Sequence, residues 1–171
     1  MIEVLKGGLA SVAEQKFVSF TLFSPHLKMQ RNAIVAAQTL IKSSGFGASL
    51  LTDINFNPEK NIVASPSNKE LQFQFSVTPS MCNVFGSLHG GCTATLGDVF
   101  TTIHLWSLFP ESKHVSIDLS VNYYRAVTVN TALLCTTRVL KSGKRIAFTE
   151  FEFANEKLEV VAKGFHNKSF V

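Results

Sequence analysis

The sequence predicts an α+β domain in which a curved antiparallel sheet wraps around one long central helix. Three observations carry that prediction. Residues 91–107 (GCTATLGDVFTTIHLWS) are long enough for a helix and apolar around nearly the whole circumference, so other structure must cover it. Four strand-like runs follow Pro110, at 114–124, 130–140, 145–153 and 158–168, and short turns between most of them imply an antiparallel meander. Residues 69–78 (KELQFQFSVT) alternate, with Leu71, Phe73, Phe75 and Val77 on one face. A sheet curling around a single apolar helix satisfies the burial needs of both.

In chain order, the 171 residues suit one domain plus an appendage. We read 1–45 as an N-terminal extension and 46–171 as the main domain. Residues 17–23 (FVSFTLF) read either as a short strand or as part of a targeting segment. The pattern predicts a helix over 28–43, with Ile34, Ala37, Leu40 and Ile41 on one face and Gly45 as its stop. Residues 48–56 (ASLLTDINF) read as a strand ending at the turn signal Asn57-Pro58-Glu59-Lys60-Asn61. Pro79 closes the next strand, and a loop through Asn83 and Gly86 leads into the central helix. Lys141-Ser142-Gly143-Lys144 is the tight turn between the second and third late strands.

Composition narrows the function. Charged residues make up 16% of the chain, against roughly 25% in an ordinary soluble domain, which suits a surface partly hidden between subunits. No apolar stretch approaches the roughly 18–20 residues a membrane helix needs, so an integral membrane segment is not expected. Cys82, Cys92 and Cys135 have neither CxxC nor paired-His spacing, which gives no zinc motif and a poor disulfide framework. Between Lys113 and Arg145, six basic residues (Lys113, Arg125, Arg138, Lys141, Lys144, Arg145) face one acid, Asp118. Such a concentration suits either a polyanionic partner or a solvated strand edge. No nucleic-acid-binding motif accompanies it.

Residues 83–102 read NVFGSLHGGCTATLGDVFTT. They resemble the Asn-x-x-Gly-x-Leu-His-Gly-Gly-x-x-x-x-Leu-x-Asp signature of the hotdog acyl-CoA thioesterases, in the PaaI-like and thioesterase superfamily member 2 group. His114-Val115-Ser116-Ile117-Asp118-Leu119 is similar to that family's strand after the helix. Val139 to Lys144, with Ala147-Phe148-Thr149, falls in the family's order and place. The likeness spans roughly 46–168 and implies the hotdog fold, matching the element order. Residues 1–45 are only loosely comparable.

Gly90 sits where loop becomes helix, with unpaired backbone N–H groups and the positive end of the dipole. A thioester carbonyl there would be polarised and its oxyanion stabilised; the bland alternative is a turn that needs glycine. Asp98 lies eight residues into an apolar helix, where a carboxylate is costly unless bonded or functional. It reads as general base or nucleophile, or as a partly exposed contact residue. Eight residues span about 12 Å of helix, too far for both groups to address one carbon. By resemblance, two antiparallel helices across a dimer bring Asp98 of one chain to Gly90 of the other, and a tetramer of such dimers is implied too. Resemblance also assigns Ser116 to the attacking water, and Asn83 and His89 to the thioester. Asn83 otherwise forms an Asx-turn, His89 a cap, and Ser116 an ordinary strand position. His104 and His114 have no partner argument and read as structural. Cys92 reads as a small buried hydrophobe.

The coenzyme segments of the family match Tyr123, Tyr124, Arg125, Ala126, Val127 and Thr128, and then Lys141, Ser142, Gly143, Lys144, Arg145 and Ile146. Arg125, Lys141, Lys144 and Arg145 are the candidate phosphate contacts. The implied function is hydrolysis of acyl-CoA, by resemblance a fatty acyl-CoA rather than an aromatic one, to free acid and coenzyme A. Coenzyme A is then part of the substrate, and neither metal nor cofactor is expected. The rivals are a non-catalytic acyl-CoA-binding module and an assembly subunit on the same fold; a hotdog dehydratase fits the motif less well. An intracellular setting is expected. The basic, Ser-containing N-terminus suits the mitochondrion, whereas scarce Arg and Glu3 leave the cytoplasm as the alternative.

Overall fold

The central helix, α4 (Gly90–Leu108), packs against a six-stranded antiparallel sheet. The computed structural model describes residues 24–65 and 70–171, so the reading of residues 17–23 and of a targeting segment lies outside the described residues. Before α4 come three helices, α1 (Pro25–Ile41), α2 (Phe46–Asp53) and α3 (Pro58–Asn61), then β1 (Ile62–Ala64), β2 (Glu70–Ser76) and a 3-10 turn over Pro79–Met81. After it run β3 (His114–Tyr123), β4 (Ala132–Ser142), β5 (Ile146–Asn155) and β6 (Val160–Phe170).

The sheet order is β1-β2-β4-β5-β6-β3. Only β4, β5 and β6 form the expected meander; β3 crosses to the far edge and pairs with β6. That placement leaves β3 with one free edge.

Residues 48–56 do not form the expected strand. Phe46–Asp53 is helix α2, with Ala48 and Leu51 buried three apart, while Ile54 and Phe56 beyond its end complete the inward set. A short apolar run fits either period, and packing beside α1 and α4 selects the helical one. The first strand comes later, at β1, after the Asn57 side chain caps the single turn of α3.

Leu96, Val99, Phe100 and Ile103 of α4 enter one core with Leu71, Phe73 and Phe75 of β2 and Phe151 and Phe153 of β5. Phe73 and Phe100 stack with ring centroids 4.4 Å apart. Met29, Ala33 and Ala37 of α1 lie in the same core, so α1 shares its hydrophobic interior with the domain that follows. A side-chain carbon at Gly97 would lie about 2.5 Å from the Phe151 ring. The glycine therefore lets α4 settle onto β5 of its own sheet. No helix among the described residues is long and apolar enough to cross a membrane.

Candidate active site

Helix α4 carries one set of candidate groups at its start and another midway along. At the start, the His89 ring caps the helix, its Nδ1 accepting from Gly91 N–H at 2.9 Å, which leaves the ring hydrogen on Nε2. The Gly90 N–H is a first-turn donor with no acceptor among the described residues. Tyr123 lies over this turn, its hydroxyl donating to the Gly90 carbonyl at 2.8 Å. Asn83 shapes the loop before the helix. Its side-chain oxygen accepts from the backbone N–H of Phe85 at 2.9 Å and of Ser87 at 3.2 Å, the Asx-turn the sequence offered as one alternative. Leu88 N–H bonds the Val127 carbonyl, which ties this loop to the segment containing Arg125.

Midway, Asp98 faces a cleft of about 330 Å³ with Ser116 and Lys168. Its Oδ1 accepts from Lys168 Nζ at 3.2 Å and from Thr102 Oγ1 at 3.2 Å. Oδ2 has no donor among the described residues, and the side chain is 42% exposed. Lys168 Nζ also donates to Ser116 Oγ at 3.2 Å, while its own side chain is only 4% exposed.

Hydrogen counting fixes the rest of this network. With its hydroxyl hydrogen on the Gly97 carbonyl at 2.7 Å, or on that of Asp98 at 3.0 Å, Thr101 Oγ1 is assigned as the acceptor toward His166 Nδ1, 2.7 Å away. Nδ1 then carries the ring hydrogen and Nε2 is a bare acceptor, a tautomer assigned from the network. Ser116 Oγ therefore donates to Nε2 at 2.9 Å. Burial first, and the Lys168 charge second, push the His166 imidazole down to about 4; the Asp98 carboxylate opposes them. With Nε2 bare, its 3.6 Å approach to Asp98 Oδ1 joins two acceptors, and the Lys168 ammonium makes it tolerable. Burial also lowers the Lys168 pKa, and Asp98 pulls the other way.

Sequence reasoning anticipated Asp98 and Ser116 here but missed Thr101, Thr102, His166 and Lys168. A signal existed for two of them. On β6 the even positions from Ala162 to Lys168 are buried, so His166 and Lys168 are ionisable residues at the inward parity of a strand. Cys92 shows no nucleophilic character, since burial pushes its thiol up to about 11.

One chain does not bring all the predicted residues together. Ser116 and Tyr123 are seven residues apart on β3, about 23 Å of extended strand. Ser116 thus belongs to the Asp98 end and Tyr123 to the Gly90 end. The two coenzyme segments divide likewise, because Tyr124, Arg125, Ala126, Val127 and Thr128 precede β4 while Ser142, Gly143, Lys144, Arg145 and Ile146 follow or end it. The 11 residues of β4 between them span about 35 Å. Arg125, Lys141, Lys144 and Arg145 are all exposed. Arg138, in the same basic stretch, is not available: Glu70 and Glu150 hold its guanidinium at 2.5 and 3.0 Å.

A buried helix inside a curved antiparallel sheet, with a glycine donor at its start and a carboxylate midway, is the architecture of a hotdog thioester hydrolase. The thioesterase superfamily profile matches residues 85–162. Mouse acyl-coenzyme A thioesterase 13 is 28% identical over 141 residues, covering 82% of this chain and 95% of the mouse protein. The human protein of the same name is 33% identical over 96 residues, 56% of this chain and 69% of its own length. The crystal structure of zebrafish thioesterase superfamily member 2 superposes with a TM-score of 0.70 at 25% identity, covering 81% of this chain and 95% of that one. The chain belongs to the thioesterase superfamily.

Proposed function

We propose that the protein hydrolyses fatty acyl-CoA to the free acid and coenzyme A, at a site assembled from two copies of the chain. The observation that carries this reading is the unoccupied valence at Asp98 and Ser116. Asp98 Oδ2 is unbonded among the described residues. Ser116 Oγ donates to His166 and accepts from Lys168, so one lone pair remains. A water donating one hydrogen to Asp98 Oδ2 and the other to Ser116 Oγ presents its own lone pair to a thioester carbon. Asp98 takes the water's proton as the new C–O bond forms. The carbonyl electrons move onto oxygen, where the Gly90 N–H of a second copy stabilises them. When the C=O re-forms, the C–S bond breaks, coenzyme A leaves as thiolate, and the proton ends on sulfur. This chemistry calls for no metal or redox cofactor.

Two copies are needed because the donor end and the base end of one chain are too far apart. Strand β3 supports their union. It is a ten-residue edge strand with Val115, Ile117 and Leu119 exposed, and a long apolar edge is a template for strand pairing. Antiparallel pairing there would set Asp98, Ser116 and the Lys141–Ile146 hairpin of one copy against Gly90 and the Tyr123–Thr128 segment of the other. Asn83 and His89 then flank the thioester through the loop and cap they build. Two such dimers forming a tetramer is the further assembly the family resemblance suggests. The free Cys82, Cys92 and Cys135 support an intracellular setting, mitochondrial or cytoplasmic.

Release of free thiol from a panel of fatty acyl-CoAs by purified protein is the test. Turnover above the uncatalysed rate is expected on at least one chain length. Tight acyl-CoA binding with no thiol release would instead mark a non-catalytic binding subunit.

A further inference from the structure

We infer that Lys168 is a positioning residue for the hydrolysis: its ammonium ties the Asp98 carboxylate to the Ser116 hydroxyl and so aims both at one water. This rests on the thioesterase reading above and adds to it a residue with a defined task. Lys168 Nζ donates to Asp98 Oδ1 and to Ser116 Oγ, each at 3.2 Å. No other side chain among the described residues hydrogen-bonds both groups. A lysine side chain only 4% exposed is rare unless its charge is paired, and here its partners are the two groups that face the reacting water. The register of the sheet sets this up. Lys168 of β6 stands directly opposite Ser116 of β3, and β3 carries one extra residue between Ser116 and Asp118. Without that bulge Ile117 would stand opposite Lys168, and Ser116 would point to the other face.

The task follows from what the ammonium fills and what it leaves open. An ammonium only donates. It occupies Asp98 Oδ1 and one Ser116 lone pair, so Oδ2 and the last Ser116 lone pair remain for the water. Thr102 also holds Oδ1, at 3.2 Å, but it makes no bond to Ser116 and cannot set the distance between the two groups. His166 Nε2 takes the Ser116 hydrogen at 2.9 Å and lies 3.6 Å from Asp98 Oδ1. Those two atoms are both acceptors, and they repel. The ammonium bonded to Asp98 offsets that repulsion and keeps the carboxylate turned toward Ser116. Without it Asp98 is still present but no longer aligned, and a misplacement of about 1 Å can cost on the order of 100-fold in rate. The loss falls on turnover rather than on binding, because the buried ammonium is spent on the protein's own groups and not on the substrate.

The experiment measures free-acid release from fatty acyl-CoAs by wild type, Lys168→Met and Lys168→Ala. Methionine fills much of the lysine's volume without its charge, so kcat should fall about 10- to 100-fold while KM changes less than about threefold. Alanine leaves room for a small amine. Added propylamine, protonated at neutral pH, should restore part of the lost kcat in Lys168→Ala in a saturable way and do nothing for Lys168→Met. Counting free acid rather than thiol keeps direct aminolysis of the thioester out of the result. Near-wild-type kcat in Lys168→Met overturns the inference and leaves the thioesterase reading standing. A loss in Lys168→Ala that propylamine does not relieve overturns it as well, since the side chain would then act through packing alone. Absence of acid release by wild type from every fatty acyl-CoA overturns both readings together. Should Lys168→Ala fail to fold, Lys168→Met decides: a loss carried by KM with kcat unchanged contradicts the inference.

Discussion

The start of helix α4 and its midpoint are built by opposite means. At Gly90 the chemistry is main chain: an N–H left over by helix geometry, set by a His89 cap and an Asn83 turn. At Asp98 it is side chain: a carboxylate, a serine, a histidine and a lysine gathered from α4, β3 and β6 into one hydrogen-bonded group. The first end needs only a short local motif. The second needs three elements far apart in sequence to meet. Dipoles that come free with a helix stabilise charge developing on a substrate, whereas a base must be supplied and positioned by tertiary structure.

Substitutions at each end sharpen that contrast. The largest expected effect is Asp98→Asn, which keeps the shape and removes the base: turnover should drop by at least about 100-fold, with circular dichroism unchanged. Near-normal turnover would remove Asp98 from the mechanism. Next is Gly90→Pro, which deletes the N–H alone. His89, at φ −67° and ψ 132°, already has the backbone a following proline prefers, and the first helical position tolerates proline. The added carbon would meet the Tyr123 ring at about 3.3 Å, a contact requiring only a small shift. A loss of about 10²–10³ in kcat is expected, the usual worth of one oxyanion donor.

Smaller effects belong to the rims. Arg125→Ala and Lys144→Ala should each raise KM for acyl-CoA several-fold and change a short acyl-pantetheine little, since pantetheine lacks the phosphates those cations would meet. Equal losses on both substrates would separate these residues from the coenzyme. The smallest effect is on stability. His104, His114 and His166 are all pushed down to about 4 from 6.5, chiefly by burial. Between those values the unfolded chain binds more protons, so stability is full above about 6.5 and is lost as pH falls toward 4. The melting temperature should fall by several degrees over that window. His104→Asn, which can still hydrogen-bond Thr137 as the Nδ1 of His104 does at 2.8 Å, should make the slope shallower.

The same contrast explains what the sequence could disclose. The Leu88-His89-Gly90-Gly91 stretch and Asp98 were legible because they are contiguous and sit on a helix whose apolar circumference announces its burial. The strands after Pro110 were legible from their alternation, but not the position of β3, because sheet order depends on non-local pairing that no single run encodes. Residues 48–56 misled because five apolar side chains in nine suit a strand or a helix, and only α1 and α4 select between them. His166 and Lys168 escaped notice because their role depends on Asp98, some 70 residues earlier. Their inward parity on β6 was visible, and their partner was not.

The central claim is that a working site takes its base from one chain and its oxyanion donor from another. Its most direct test is to unfold and refold an equal mixture of Asp98→Asn and Gly90→Pro chains and measure thiol release alongside molar mass. Neither variant alone has an intact site, but each mixed dimer has one with both parts native. Random pairing makes half the dimers mixed, so activity should recover to about a quarter of wild type in a species of at least dimeric mass. Activity no greater than the sum of the two variants measured separately, or full wild-type activity in a monomer, would contradict the account.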